Sequence, residues 1–190
     1  MALPRFAVVD LETSGLDTHR HRILQIGLVI VDADGRVSDE WASFVKLGWP
    51  LQRVGPTHVH GITRRTLRDA PKLDAALDEL ARRIDGAIFT AHNAAFDSEF
   101  LRRAIRRRPT GDPLRASLDR RLCTLTMSRR LDPDRLLSHR LGDVCERYGV
   151  ALERPHDALG DAEATAAVLP HLLAAHAVTD VAQLEPFFVR

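Results

Sequence analysis

Residues 8–17, VVDLETSGLD, decide how this chain is read. Strand-like sequence leads into them, and Phe6, Ala7, Val8 and Val9 are all apolar. A half-exposed strand would alternate, whereas an unbroken apolar run reads as a central strand buried on both faces. Asp10 and Glu12 then follow two residues apart. Side chains at i and i+2 of a strand share a face, so these carboxylates project together while Val9 and Leu11 point the other way. Ionised acids are costly to bury without a partner. A pair at the end of a central strand is better explained by a metal ion than by solvent. A strand with a polar outer face is the ordinary alternative.

Around this strand the chain is organised as an α/β domain. Arg5–Leu11 is the first strand, and Arg22–Asp32 the second, ending in a turn at Asp34-Gly35. Arg36–Leu47 alternates as the third strand of a meander. Residues 48–71 show no sustained period and read as a long functional loop containing His58 and His60. Beyond Pro71, Leu73, Ala76, Leu77, Leu80 and Ile84 have helical spacing. A short strand over 87–91 and a helix over 94–107 follow, then strand 121–125 and helix 126–131. Ser138 is a plausible N-cap for a helix reaching Tyr148, which Gly149 ends. Residues 158–176 are alanine-rich and helical, with Pro170 expected to kink or interrupt them, and one more helical turn is expected in the last segment. Strands first, then alternating helix and strand, indicate a mixed sheet flanked by helices.

At 190 residues the chain reads as one domain, 1–190, with its core over about 5–175 and a terminal segment at 176–190. A net charge of +1 announces no nucleic-acid partner through a global field. Only Lys46 and Lys72 are lysines among the 27 lysines and arginines, so arginine dominates, often in clusters such as Arg106-Arg107-Arg108. Arginine forks suit phosphate oxygens, but most such pairs read as solvated helix faces. Cys123 and Cys145 form neither metal spacing nor a disulfide framework. The N-terminus lacks the build of a signal peptide, and no stretch approaches the roughly 20 apolar residues that span a bilayer. The expectation is a cytoplasmic protein without a membrane partner.

Two further groups carry chemistry. AHNAAFDSEFL, residues 91–101, runs from a short strand through His92-Asn93 into a helix whose early turn holds Asp97. Asn93 also reads as that helix's cap, and Asp97 as a dipole-friendly acid. HDALGDAEATA, residues 156–166, places His156 five residues before Asp161, an acid that could simply decorate a first turn. Taken in order, DLE (10–12), HNAAFD (92–97) and H-x-A-x-x-D (156–161) resemble the three motifs of DnaQ-like 3′–5′ exonucleases, as in bacterial DNA polymerase III epsilon subunits. His156 indicates the histidine (DEDDh) type. Gln25-Ile26-Gly27 and His60-Gly61-Ile62-Thr63 support the resemblance.

The resemblance implies a ribonuclease H-like, mixed five-stranded sheet, with Asp10, Glu12, Asp97 and Asp161 converging on two divalent cations, Mg²⁺ or Mn²⁺. Hard cations prefer such oxygen ligands, and without them clustered carboxylates would raise one another's pKa values. His156 is the implied general base, a role suited to a side chain that titrates near pH 6.5 or thereabouts. Asp157 adjoins it but lies outside the motif. Thr13 and Leu16 are implied contacts to the terminal nucleotide. His60 and Phe96 complete its pocket, although each also reads as packed core or loop, while His92 and Asn93 organise the site. The implied activity runs from free 3′ ends of single-stranded or frayed nucleic acid and releases nucleoside 5′-monophosphates. DNA is favoured over RNA, in proofreading or repair. RNA trimming and a non-catalytic binding module are the alternatives. Residues Gln183–Phe188 loosely resemble a sliding-clamp peptide, and DNA polymerase is the other protein partner expected, against the ordinary reading of an apolar segment folded onto the domain.

Overall fold

A computed structural model describes residues 3–49 and 52–189. The meander is formed by β1 (Phe6–Thr13), β2 (Ile23–Val31) and β3 (Val37–Phe44). The connection to the rest of the sheet carries α1 (Thr57–His60), α2 (Arg64–Leu67) and α3 (Leu73–Ile84). Then come β4 (Ile88–Ala91), α4 (Ala94–Ala104), α5 (Pro113–Ser117), β5 (Arg121–Cys123) and α6 (Thr124–Arg130). The chain continues through α7 (Leu141–Tyr148) and α8 (Ala158–Ala175), then a 3₁₀ helix over Val181–Phe187 and β6 (Phe188–Val189). The strands form one mixed sheet in the order β3-β2-β1-β4-β5-β6, with β4 and β5 parallel to β1 and the other pairings antiparallel. β1 lies inside the sheet, as its apolar run predicts.

The two faces of β1 build two cores. Ala7, Val9 and Leu11 pack with Leu77, Leu80 and Ile84 of α3 and with Phe100 and Leu101 of α4. Phe6 and Val8 face Val144 of α7 and Val168, Leu169 and Leu172 of α8. Asp10 and Glu12 continue this second face past the end of its apolar part, opposite Gly27 and Gln25 of β2.

The start of α8 is pressed against that point. A Cβ added at Gly27 would lie 2.1 Å from the Ala158 carbonyl oxygen, so only glycine lets the helix backbone come this close. Gln25 latches the approach: its Nε2 donates to Asp157 Oδ2 at 2.9 Å, and its Oε1 accepts from the Ala158 N–H at 3.3 Å. The other oxygen of Asp157 accepts from the Gly160 N–H at 3.0 Å and caps α8.

Several expectations are revised. The loop at 48–71 contains α1 and α2, each a single turn of four residues and too short to show a period. Ser138 is not an N-cap, because α7 begins at Leu141 and the Ser138 hydroxyl donates instead to the Asp143 carboxylate. α8 continues through Pro170 to Ala175, where burial of Val168, Leu169 and Leu172 offsets the lost N–H donor. The sheet has a sixth strand because the last segment pairs Val189 and Phe188 with Arg121 and Leu122. This also corrects the sliding-clamp reading of Gln183–Phe188. Leu184 and Phe187 are buried, and the Gln183 side chain accepts from the Thr179 and Asp180 N–H groups, so the segment is committed to its own core.

Gly27→Ala should destabilise the protein by about 1–3 kcal/mol through overpacking, read as a lower urea midpoint. An unchanged midpoint would mean that α8 does not need this close approach.

Candidate active site

Three elements bring the singled-out acids together. β1 presents Asp10 and Glu12, the first turn of α4 presents Asp97, and the first turn of α8 presents Asp161. Ligand atoms of Glu12, His156 and Asp161 all lie within 4.8 Å of one another. Asp161 Oδ2 also accepts from the His156 backbone N–H at 3.1 Å, which orders the turn carrying the imidazole. His156 has φ of 62° and Asn93 φ of 73°, both in the left-handed region that non-glycine residues avoid at a cost of order 1 kcal/mol or more. Asn93 occupies the boundary of α4 but makes no side-chain cap bond, which corrects its reading as a cap.

Crowding the carboxylates has an electrostatic consequence. Burial, then the charges of Asp97, Asp161 and Glu12, push Asp10 well above the carboxylate range. Glu12 is pushed up to about 8, by burial first and then by Asp161 and Asp157. Burial also pushes Asp97 up to about 8, against the opposing influence of its own backbone and that of Leu11. Asp161 is raised by burial, with the His156 N–H pulling the other way. These are acids brought together against their mutual repulsion. A divalent cation would supply the missing positive charge, and an all-carboxylate set beside one imidazole suits a hard ion.

The outer residues are placed more diversely. Thr13 is buried, and its hydroxyl donates to the Gly15 carbonyl at 2.9 Å. Leu16, by contrast, is 82% exposed and free to meet a ligand. His60 is buried, with Nδ1 accepting from the Ile62 N–H at 3.0 Å and Nε2 lacking a well-formed partner. Burial holds its ring below the usual histidine value, the Val54 backbone opposing and the charge of nearby His156 reinforcing the shift. Phe96 packs edge-on against Phe100, with ring centroids 5.1 Å apart, so part of its ring serves the core.

His92 turns away from the acids into a network not foreseen in the sequence. Its Nδ1 meets Thr124 Oγ1 at 3.0 Å, and its Nε2 donates to the His139 carbonyl at 2.9 Å. His139 in turn meets Ser128 through Nδ1 at 2.9 Å and Asp132 through Nε2 at 3.2 Å. Asp132 is held below the usual carboxylate range mainly by the Leu137 N–H. Thr124, Ser128, Asp132 and His139 thus fix the wall behind His92. No motif marks them, because they meet only when the chain folds back from α6 to α7.

A family model described as "Exonuclease", of the RNase_T type, matches residues 7–169. The chain is 32% identical over 164 residues to DNA polymerase III PolC-type of Halalkalibacterium halodurans, and 34% identical over 163 residues to that of Thermotoga maritima. Each match covers 86% of this chain but only 11% of the much longer relative. Among solved structures, exonuclease X in complex with 5′ overhanging duplex DNA superposes with a TM-score of 0.70 at 24% identity, covering 96% of this chain and 98% of that one. E. coli exonuclease I with a dT13 oligonucleotide gives 0.77 at 21% identity, covering 92% and 42%. The nuclease domain of 3′hExo, a DEDDh family member bound to rAMP, gives 0.73 at 15% identity, covering 90% and 92%. These superpositions establish the shared ribonuclease H-like fold.

The raised acids predict a definite pH dependence. Carboxyl groups titrating near 8 when folded and near 4 or so when unfolded hold more protons in the folded chain. Metal-free stability should therefore be greatest at the acid end of the window from about 4 to 8 and fall as pH rises through it. Added Mn²⁺ should raise the Tm more at pH 8 than at pH 5. An equal rise at both values would show that the acids do not form the cation site.

Proposed function

The chain belongs to the RNase_T exonuclease family, and from that membership we propose that it removes nucleotides from 3′ ends with Asp10, Glu12, Asp97, Asp161 and His156 as its working residues. The observation that carries this reading is the convergence of four acids from β1, α4 and α8, with His156 beside Glu12 and Asp161. Two divalent cations, Mg²⁺ or Mn²⁺, held by these carboxylates would stabilise the attacking and leaving oxygens of an in-line displacement. Phosphate contributed by the substrate would complete the ligand set.

His156 takes a proton from the attacking water as its oxygen bonds to the terminal phosphorus. The bond from phosphorus to the 3′-oxygen of the preceding nucleotide breaks, and solvent protonates that oxygen. The product is a nucleoside 5′-monophosphate and a strand one unit shorter. His156 is exposed at the turn before α8, where its ring reaches water, while Asp157 is occupied by Gly160 and Gln25. Exposed Leu16 packs against the terminal base, and the Thr13–Gly15 turn receives the sugar. His60 and Phe96 border this pocket, and His92 and Asn93 hold its wall.

DNA is the favoured substrate, since the curated relatives are DNA polymerases and exonucleases X and I were solved with DNA. The same relatives support a role in proofreading or repair, alongside a DNA polymerase. Matched DNA and RNA strands incubated with Mg²⁺ test the substrate, with faster release of 5′-monophosphates from DNA expected and equal or faster release from RNA overturning the preference.

His156→Ala should lower turnover by about 10²–10⁴-fold while retaining Mn²⁺ binding. Asp157→Ala should keep its turnover but lose about 0.5–2 kcal/mol of stability with the cap. Full activity in His156→Ala, or total loss in Asp157→Ala, would reverse these assignments.

A further inference from the structure

Beyond the turn that carries Leu16 lies a cavity of about 360 Å³ whose ionisable lining residues are all histidine or arginine. His19, His21 and Arg22 enter it from the loop between β1 and β2, and Arg103, Arg106 and Arg107 from the end of α4 and the residues after it. No acid lines it, and Ile23 and Phe100 contribute apolar wall.

Several of these arginines lack an acidic partner. Neighbouring arginines are matched by acids: Arg108 by Asp112 and by Asp78 at 2.7 Å, Arg83 by Glu79 at 2.7 Å. Among the described residues, Arg106, Arg107 and Arg22 have no carboxylate partner. Arg22 spends Nη1 on the His21 carbonyl at 2.8 Å. Arg103 is matched on one side by Glu99 at 2.9 Å, and with its other arm donates to His19 Nε2, placing one basic side chain against another. Arginines gathered in a concavity, three of them without a carboxylate partner, form a receptor for an anion.

The scaffold is also rigid. The Ser14 N–H donates to the Arg22 carbonyl at 2.9 Å, and the Arg22 N–H to Ser14 Oγ at 3.0 Å, so the loop is closed at its base. The Arg103–His19 contact ties this loop to α4. Along α4, Arg103 lies six residues beyond Asp97, roughly 9 Å at 1.5 Å per residue. That is about three steps of stacked nucleic acid at 3.4 Å each.

We propose that this cavity is a phosphate site for the polynucleotide backbone, separate from the carboxylate cluster and about three nucleotides from the bond that is cut. The assignment rests on the exonuclease reading for its ligand, while the chemistry it names is that of a phosphodiester group. The phosphate belongs either to the upstream part of the cut strand or to a strand paired with it.

The double variant Arg106→Gln/Arg107→Gln tests this on three probes: the small diester p-nitrophenyl thymidine 5′-monophosphate, a single-stranded 15-mer, and that 15-mer annealed to a longer complement. Hydrolysis of the small diester should be unchanged, and KM for DNA should rise about five- to tenfold. The plot of log Kd against log salt for DNA binding in EDTA should flatten by about one phosphate contact. A rise on both DNA forms places the phosphate in the cut strand; a rise on the annealed form alone places it in the complement. Unchanged KM on both, or an equal loss on the small diester, would overturn the proposal. If the wild type cleaves none of the probes, the nuclease reading fails, and the binding measurement still judges the cavity by whether its salt slope changes.

Discussion

Everything at the candidate site depends on how closely the first turn of α8 meets β2. Gly27 removes the one atom that would hold the two backbones apart, and Gln25 fills both hydrogen-bonding positions across the contact. Asp161 and His156 are thereby carried to the end of β1, where Asp10 and Glu12 already share a face. Asp157, beside the proposed base, serves this contact. A shift of α8 by the width of a methyl group would separate the acids of one element from those of the other.

The same contact concentrates negative charge in a partly buried place. Acids titrating near 8 signal that the folded chain alone holds this arrangement at a cost. Left-handed backbone at His156 and Asn93 adds to it. Raised carboxyl groups and left-handed backbone at His156 and Asn93 coincide here, which is the pattern expected of a functional site. The two cores on either side of β1 supply the stability that offsets it.

The sequence was most legible where the signal is short-range. An apolar run followed by two acids revealed both the central strand and the shared face of Asp10 and Glu12, because a strand's alternation is fixed by its own backbone. The helical spacing of Leu73–Ile84 likewise needed no neighbours. Long-range pairings stayed hidden. The path from His92 through His139 to Asp132 joins residues far apart in the chain, and Ser138 looked like a cap until the fold gave it Asp143. β6 and the 3₁₀ helix before it exist because Leu184 and Phe187 find the core, which no local propensity encodes. Arginine clusters were ambiguous for the same reason: Arg108 meets two acids and Arg106 meets none, and only the fold decides which.

Carboxylates gathered as these are call for cations. The most direct measurement is the number and affinity of Mn²⁺ ions bound at pH 8, read from the electron paramagnetic resonance of free Mn²⁺, for the wild type and Asp10→Asn. At least one ion should bind the wild type, with an affinity lower by about tenfold or more in the variant and an unchanged circular dichroism spectrum. Equal binding by the two proteins would contradict it.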